Sequence, residues 1–236
     1  MDKVTKKQGI IILISMLVFF VACGALVVMI SQKLREFNIE DHMDEPVVTI
    51  DDNELTLKYA SYYIITIETK VNAAALEVYP DNPVKYWTGY YNSNGKNAFI
   101  RNIARDECMN AIIRNYIYYL EALDLNLTLT DEEIQELNAS VNEKLSALNG
   151  YQAEATDYTN SECYDILYVE ALAKKYTEYR YSLDNTLTEE DFNADGRIYE
   201  EIYALHNIDI NKNLWERLLF GNVFVNVGED EAKDLY

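Results

Sequence analysis

A run of uncharged, mostly apolar residues near the N-terminus constrains this chain more than any other feature. It covers residues 9–30 and reads GIIILISMLVFFVACGALVVMI. As a helix rising about 1.5 Å per residue it would be roughly 33 Å long, enough for a bilayer hydrocarbon core of about 30 Å. A helix packed inside a globular domain usually keeps a polar face, and this run has none. The sequence therefore predicts a transmembrane helix over residues 9–30.

Charge is distributed unevenly on the two sides of this run. Residues 1–8 form a short leader with a formal charge of +2, and subtracting it from the chain total of −20 leaves −22 after the span. A short basic leader before an apolar run is typical of an uncleaved signal anchor. We therefore expect a single-pass protein of the cell membrane, with the leader inside and the bulk of the chain extracytoplasmic.

Two alternatives to the anchor involve cleavage. Residues 20–23 (Phe-Val-Ala-Cys) resemble a bacterial lipobox, which would make Cys23 a lipidated N-terminus. Residues 24–30 stay apolar, however, where a lipoprotein usually turns polar. A simple secretory signal is less favoured again, because the apolar run is long and no polar region precedes a small-x-small site.

The composition excludes several kinds of site. Asp and Glu number 40 against 20 Lys and Arg, and such a polyanion is unsuited to binding nucleic-acid phosphates. Two histidines and three cysteines cannot complete a three-histidine or four-cysteine zinc site. A nucleophile would need His42 or His206 as its base, and these fall in a stalk and at a helix end. We expect no enzyme activity, no cofactor and no nucleic-acid partner.

After the apolar run, the pattern predicts a mainly α-helical domain with strands near its two ends. Residues 31–45 are polar and read as a juxtamembrane stalk. Residues 46–227 form the domain, and residues 228–236 are an acidic tail.

The predicted β-element joins the two ends of the domain. Residues 47–50 and 54–57 flank the turn residues Asp-Asp-Asn, which predicts a β-hairpin leading directly into a helix. Residues 223–227 (VFVNV) predict a terminal strand, and residues 208–210 are a weaker strand candidate. Since a lone hairpin is marginally stable, we expect a third strand to pair with it and stabilise it.

The segments between these strands show helical periodicity. Thr130 with Glu133, and Thr159 with Glu162, form two capping boxes that begin helices. Gly150 is expected to stop the first of these helices. Helices are predicted over residues 59–78, 96–123 (with one apolar stripe ending at Leu123), 130–148, 159–184 and 188–206, with a loop over 151–158.

Several of these segments resemble extracytoplasmic foldases of the SurA and PrsA type. Residues 47–57 (VVTIDDNELTL) resemble their strand–turn–helix entry, and residues 123–134 (LDLNLTLTDEEI) resemble their recurrent helix junction. The helix start at Ser161-Glu162 resembles the helix that follows, so the resemblance covers about residues 47–184. Residues 213–227 resemble the returning C-terminal piece of tyrosine-rich relatives in low-GC Gram-positive bacteria.

Two departures limit what this resemblance implies. The family's turn glycine is Asn53 here, which still tolerates a left-handed backbone. The parvulin prolyl isomerase domain is missing, because only residues 185–212 separate the last matching helix from the terminal segment. The resemblance therefore implies a SurA N-terminal-like helical domain that holds extended polypeptide, without isomerase activity.

Tyrosine is the strongest compositional oddity, with 20 copies. Several come in adjacent pairs, and adjacent aromatics on a helix cannot both face one core. Tyrosine suits loose peptide recognition, because it offers broad apolar contact with a polar tip. The alternative is that these rings pack the domain helices. The candidates for client binding are Tyr62, Tyr63, Tyr86, Trp87, Tyr90, Tyr91 and Tyr118.

A weak calcium-loop pattern occurs at residues 191–198. Asp191, Asn193 and Asp195 supply oxygens at alternate positions, and Gly196 follows where a calcium loop turns sharply. The twelfth position should be acidic and is Ile202, so a capped helix start is the favoured interpretation.

The two cysteines of the domain could pair in an oxidising compartment. Cys108 lies on the apolar stripe of its predicted helix, which favours a buried free thiol over a disulfide with Cys163.

Two functions from different classes remain open at this point. The first is a membrane-anchored chaperone-like protein that holds unfolded or secreted polypeptide segments. The alternative is a scaffold or adaptor subunit that binds one specific folded partner in a membrane complex.

Overall fold

The computed structural model describes residues 19–21, 23–24, 37–93 and 96–225. The predicted leader, most of the predicted transmembrane helix, residues 31–36 of the stalk and the acidic tail lie outside these residues. Among the described residues, no helix combines the length and the apolar character that crossing a bilayer requires. The chain divides into two units, residues 1–38 and 39–236, and every element named below belongs to the second.

The second unit is mainly α-helical, as predicted. Single 3₁₀ turns at Ile39–His42 and Glu189–Phe192 supplement its helices. In chain order the elements are β1 (Pro46–Ile50), β2 (Asn53–Thr56), α1 (Leu57–Val78), α2 (Val84–Trp87), β3 (Tyr90–Ser93), β4 (Lys96–Phe99), α3 (Ile100–Asp124), α4 (Asp131–Ala147), α5 (Gly150–Thr156), α6 (Asn160–Leu183), α7 (Arg197–Tyr203), β5 (Ile208–Ile210) and α8 (Lys212–Trp215).

The predicted hairpin and its direct connection to a helix are confirmed. β1 and β2 pair antiparallel with Ile50 opposite Asn53, and Asp51 at the turn has a φ of 53°. The Thr56 hydroxyl accepts a hydrogen bond from the Tyr59 N–H and so caps α1. Side-chain capping of this kind satisfies a backbone donor that the first helical turn leaves free.

The third strand is β5, so the predicted strand over residues 223–227 is wrong in its described part. β5 pairs antiparallel with β1, Val48 lying opposite Ile210, which gives the strand order β2-β1-β5. Residues 223–225 are bends. Their backbone N–H groups donate instead to the carboxylate of Glu68 on α1, so those donors are not available to a β-ladder.

The helix predicted from residue 96 begins four residues later, at Ile100. Residues 96–99 are β4, which pairs antiparallel with β3 in a separate two-stranded sheet. The Tyr90 and Phe99 rings lie opposite each other across this pair, 4.2 Å between centroids. Phe99 keeps an extended backbone as the N-cap of α3. This cross-strand aromatic contact stabilises a strand over residues 96–99, although the hydrophobic periodicity of that segment predicted a helix.

Gly150 does not stop a helix but begins one. α4 ends at Ala147, and the Asn149 side chain then accepts from the Gln152 N–H while the Gln152 side chain accepts from the Asn149 N–H. This reciprocal capping box starts α5 where a loop was predicted.

The helix predicted over residues 188–206 is also interrupted. The 3₁₀ turn ends at Phe192, and α7 starts only at Arg197. Asp195 in between has a φ of 69°, a left-handed conformation that breaks helical continuity.

α3 runs through the centre of the domain and packs mainly on α6, with further packing on α1. The single stripe predicted for it is too narrow, because α3 buries side chains on more than one face, whereas Leu123 at the end of that stripe is exposed. The buried residues of α3 are Ala104, Cys108, Met109, Ile112, Ile113, Ile117, Tyr118 and Ala122.

Candidate functional site

An open crevice of about 250 Å³ lies between α1, α4 and the start of α6. Its walls are mostly apolar, with a few hydroxyls and one cationic side chain. The residues that line it are Tyr62, Ile65, Thr66, Thr69, Lys144, Leu145, Ala147, Leu148, Gln152, Tyr158 and Cys163.

Helical spacing explains why α1 forms one wall. Residues 62, 65, 66 and 69 recur at intervals of three and four, which places them on one face of a helix. The exposed Thr66 and Thr69 lie at the mouth, whereas Ile65 is buried.

The opposite wall is the C-terminal half of α4, which packs on α6. Leu137 and Val141 of α4 form a buried cluster with Cys163 and Leu167 of α6. At the other end of α4, Lys175 of α6 donates to the Glu133 carboxylate, which also belongs to the α4 capping box. Together these contacts fix α4 on α6, and the C-terminal half of α4 faces α1 across the crevice.

A half-buried carboxylate, that of Glu170 on α6, fixes the orientation of Tyr62 at the crevice. The Tyr62 hydroxyl donates to Glu170 Oε2 at 3.1 Å, and Asn115 Nδ2 donates to Glu170 Oε1 at 3.4 Å. Asn115 Nδ2 also donates to the Tyr63 hydroxyl at 3.3 Å. Burial raises the pKa of Glu170 and of Tyr62 above their ordinary values, so Tyr62 stays a neutral donor.

Tyrosine rings in contact with one another form a continuous series that runs from α1 across α3 to α6. Adjacent tyrosines divide between two environments, since Tyr63 is buried whereas Tyr62 is half-buried. Edge and tilted contacts of this kind stabilise a core beyond simple area burial. The ring centroids lie 5.8 Å apart for Tyr59–Tyr63, 6.3 Å for Tyr59–Tyr116, 5.5 Å for Tyr116–Tyr119, 6.5 Å for Tyr119–Tyr168 and 6.0 Å for Tyr164–Tyr168.

The crevice combines apolar walls with a cation at its edge. The exposed Lys144 places its Nζ 5.8 Å from the centroid of the Tyr62 ring, within cation–π range. The volume is below the roughly 300–1,000 Å³ typical of small-molecule sites. The crevice therefore suits one or two side chains of a longer ligand better than a complete cofactor.

Two larger cavities differ from this crevice in their lining. Cavities of about 430 Å³ and 420 Å³ contain several side chains of each charge, including Arg114 and Glu178 in one, and Arg180 and Glu201 in the other. These charged side chains make both cavities less suited to an apolar client side chain than the crevice.

The structure separates the predicted aromatic residues into two groups. Tyr62 lines the crevice, Tyr86 is half-buried, and Tyr90 and Tyr91 are exposed on the β3–β4 hairpin. These four side chains are accessible to a partner to different degrees, but the structure does not bring them together in one site.

The other three candidates are core residues. For Tyr63 and Trp87 this corrects the prediction that they line a binding surface, whereas Tyr118 also lines the cavity of about 430 Å³. Tyr63 and Trp87 are buried, and the Tyr118 hydroxyl donates to the Phe192 carbonyl at 3.0 Å. The packing interpretation holds for these three, because their side chains have almost no contact with solvent.

Sequence reasoning missed the residues that complete the crevice. Ile65, Thr66 and Thr69 could have been found, because they share a helix face with Tyr62. Lys144 and Leu148 could not, because only the packing of α4 on α6 brings them opposite α1.

The oxygens of the calcium-loop pattern are used within the protein. Asp191 Oδ2 accepts from the Thr188 N–H at 2.8 Å, and Asn193 Oδ1 accepts from Arg114 at 3.0 Å. Asp195 is a turn residue with positive φ. In the part of the chain that the structure describes, no group of three His, Cys, Asp or Glu residues could hold a metal ion.

The histidines and cysteines have structural surroundings. His206 Nδ1 lies 2.8 Å from Asp51 Oδ2 and its Nε2 3.6 Å from Glu121 Oε1, which ties the β1–β2 turn to α3. The hydrogen bond to His206 lowers the pKa of Asp51. Cys108 and Cys163 are buried free thiols in separate parts of the core, and Cys23 is an exposed free thiol.

No family model, no curated protein and no solved structure matches this chain.

Proposed function

We propose that this chain is a membrane-anchored, extracytoplasmic chaperone-like protein that holds extended or unfolded polypeptide segments without prolyl isomerase activity. The observation that supports it best is the apolar crevice between α1 and α4. The resemblance to foldases supports the chaperone-like function in this proposal. The apolar run over residues 9–30 supports the membrane anchor.

The form of the crevice favours an extended chain as its ligand. It is open and small, so it can accept single apolar side chains while the rest of the segment stays outside. Tyr62 offers a broad ring whose hydroxyl is already bonded to Glu170, so little rotamer entropy is lost on binding. Contacts of this kind give weak and sequence-tolerant affinity, which a reversible holdase needs.

The charge of the chain favours clients that are not acidic. Acidic residues outnumber basic ones by 40 to 20, which keeps the protein soluble near a membrane and repels acidic segments. Lys144 at the edge of the crevice adds one local cation that can pair with a client carboxyl group.

Filling the crevice should abolish holding. In the full chain, embedded in lipid nanodiscs, Thr69→Trp adds an indole at the mouth without removing a core side chain. We expect the wild type at equimolar ratio to suppress aggregation of reduced, unfolded lysozyme in a light-scattering assay, and Thr69→Trp to lose most of this effect. Asn142→Trp is the matched control, because it adds the same indole at an exposed position of α4 outside the crevice.

Four results would count against the proposal. An unchanged aggregation curve with the wild type contradicts holding, and equal loss in both variants contradicts the crevice. Cross-linking that captures one folded protein rather than many secreted chains would support the adaptor alternative instead. Clear turnover in a prolyl isomerisation assay would contradict the absence of that activity.

A further inference from the structure

One segment of this acidic chain has the opposite charge. Residues 82–105 contain four Lys or Arg residues and no Asp or Glu, in a chain where acids outnumber bases two to one. The segment covers α2, the β3–β4 hairpin and the first turn of α3.

The hairpin in this segment exposes aromatic rings. Tyr90 is 65% exposed, Tyr91 56% and Phe99 39%. Tyr90 and Phe99 lie opposite each other on one face of the ribbon, and Tyr91, the next residue along β3, points to the other face. Aromatic side chains are therefore exposed on both faces, which is costly in water for a two-stranded sheet that is already marginal.

The cations flank the hairpin on both sides. Lys85 lies on α2 before β3, whereas Arg101 and Arg105 lie on α3 after β4. Among the described residues, none of these three side chains takes part in an ion pair. Lys85 instead places its Nζ 4.8 Å from the Tyr79 ring centroid, which leaves its charge available at the surface.

Aromatic rings beside cations that form no ion pair among the described residues match the chemistry of a membrane interface. Tyrosine rings partition to the level of the lipid headgroups, and Lys or Arg near an anionic bilayer contributes favourable electrostatic energy. A folded protein partner would cover one face of a ribbon, whereas a lipid interface surrounds a shallowly inserted ribbon on both faces. The exposure of both faces therefore favours lipid.

We propose that the β3–β4 hairpin, with Lys85, Arg101 and Arg105, docks onto an anionic lipid surface. The proposal rests on the membrane attachment that is part of the proposed function, but it does not depend on the crevice or on holding. It assigns the hairpin the role of a second, reversible membrane contact.

The test uses the full chain reconstituted in vesicles that contain brominated phosphatidylcholine, with or without phosphatidylglycerol. Tyr91→Trp provides the reporter, since the natural Trp87 and Trp215 are buried. We expect its fluorescence to be quenched in vesicles with phosphatidylglycerol, and much less in neutral vesicles or at high salt. Leu205→Trp, at a position 69% exposed beyond α7, is the reporter control and should stay unquenched.

Charge reversal tests the cations separately. Lys85→Glu with Arg101→Glu, in the reporter background, should weaken docking by about tenfold or more. Lys174→Glu with Lys212→Glu changes the net charge by the same amount at exposed positions away from the hairpin and should leave the quenching unchanged.

Each remaining outcome decides between parts of the proposal. Absence of quenching in a chain that resists alkaline extraction overturns hairpin docking and leaves the anchor intact. Quenching by anionic vesicles from which alkali strips the chain supports docking and overturns the anchor. A reporter with blue-shifted emission that bromolipid does not quench is covered by another copy of the protein, which also overturns docking.

Discussion

Glu68 of α1 is a charged residue within the core of the domain, and it binds the C-terminal segment. Its side chain is fully buried, and its two oxygens accept hydrogen bonds from the N–H groups of Gly221, Val223, Phe224 and Val225. A carboxylate can serve four donors in this way because both oxygens carry free lone pairs. This one side chain therefore fixes the course of the C-terminal segment over the core.

The buried Glu68 should make stability depend on pH. Burial raises its pKa from 4.5 to about 7, although the four N–H donors oppose the rise. Between these values the folded state holds a proton that the unfolded state has lost, so the free energy of unfolding falls as pH rises. The fall should amount to ~3 kcal/mol between pH 4.5 and pH 8. Urea titrations of the full chain in mild detergent, followed by tryptophan fluorescence, measure it.

The Glu68→Gln variant isolates this contribution. Its amide does not titrate, so the difference in unfolding free energy between wild type and variant should shrink as pH rises. Parallel pH profiles for the two proteins would show that Glu68 does not titrate in this range.

Gly221 is a position where a side chain is poorly tolerated. Its φ is 93°, and a Cβ there would come within 2.7 Å of the Trp87 ring. We expect Gly221→Ala to lower the free energy of unfolding by about 2 kcal/mol, through backbone strain and displacement of the indole. Gly150→Ala is the control, because no atom lies within 4 Å of a Cβ there. Equal losses in the two variants would contradict this account.

At the scale of elements, reciprocal capping boxes set the starts of α4, α5 and α6. In α4, the Thr130 hydroxyl accepts from the Glu133 N–H while the Glu133 carboxylate accepts from the Thr130 N–H. The same carboxylate binds Lys175, so the cap also positions one wall of the crevice.

Removal of this cap should loosen α4. Thr130→Ala is expected to cost about 1 kcal/mol in unfolding free energy and to raise amide hydrogen exchange in the first turn of the helix. Thr128→Ala, two residues earlier in the exposed loop, should have little effect. A similar exchange profile in both variants would show that the cap contributes nothing measurable.

The elements that sequence predicts well are those governed by neighbours in the chain. The β1–β2 hairpin, the start of α1 and the capping boxes of α4 and α6 depend on residues that are close together in the chain. The capping box of Asn149 and Gln152 is equally local, so the start of α5 was also predictable from the sequence. β5 and the bends at residues 223–225 depend on Val48 and Glu68, more than 150 positions away. For the same reason Tyr62 was identifiable from its pairing, whereas the α4 wall of its crevice was not.

At the scale of the whole molecule, charge is distributed unevenly along the chain. The formal charge is −20, yet residues 82–105 are cationic and residues 9–30 carry none. The excess of acid in the composition predicts that nucleic acid is an unsuitable partner. The net charge of the whole chain does not reveal the cationic hairpin, because it does not show where positively charged residues cluster.

The pairing of β1 with β5 also has a consequence for the order in which the domain is made. The ribosome synthesises the N-terminus first, so Pro46–Ile50 is made long before its partner strand Ile208–Ile210. In the same way Gly221, whose N–H group binds Glu68, is added 153 residues after Glu68 itself. Closing so long a loop is entropically costly and slow. The unfinished chain therefore carries an unpaired strand edge and a solvated carboxylate until its last segment arrives. This protein should itself be vulnerable to aggregation until its synthesis is complete.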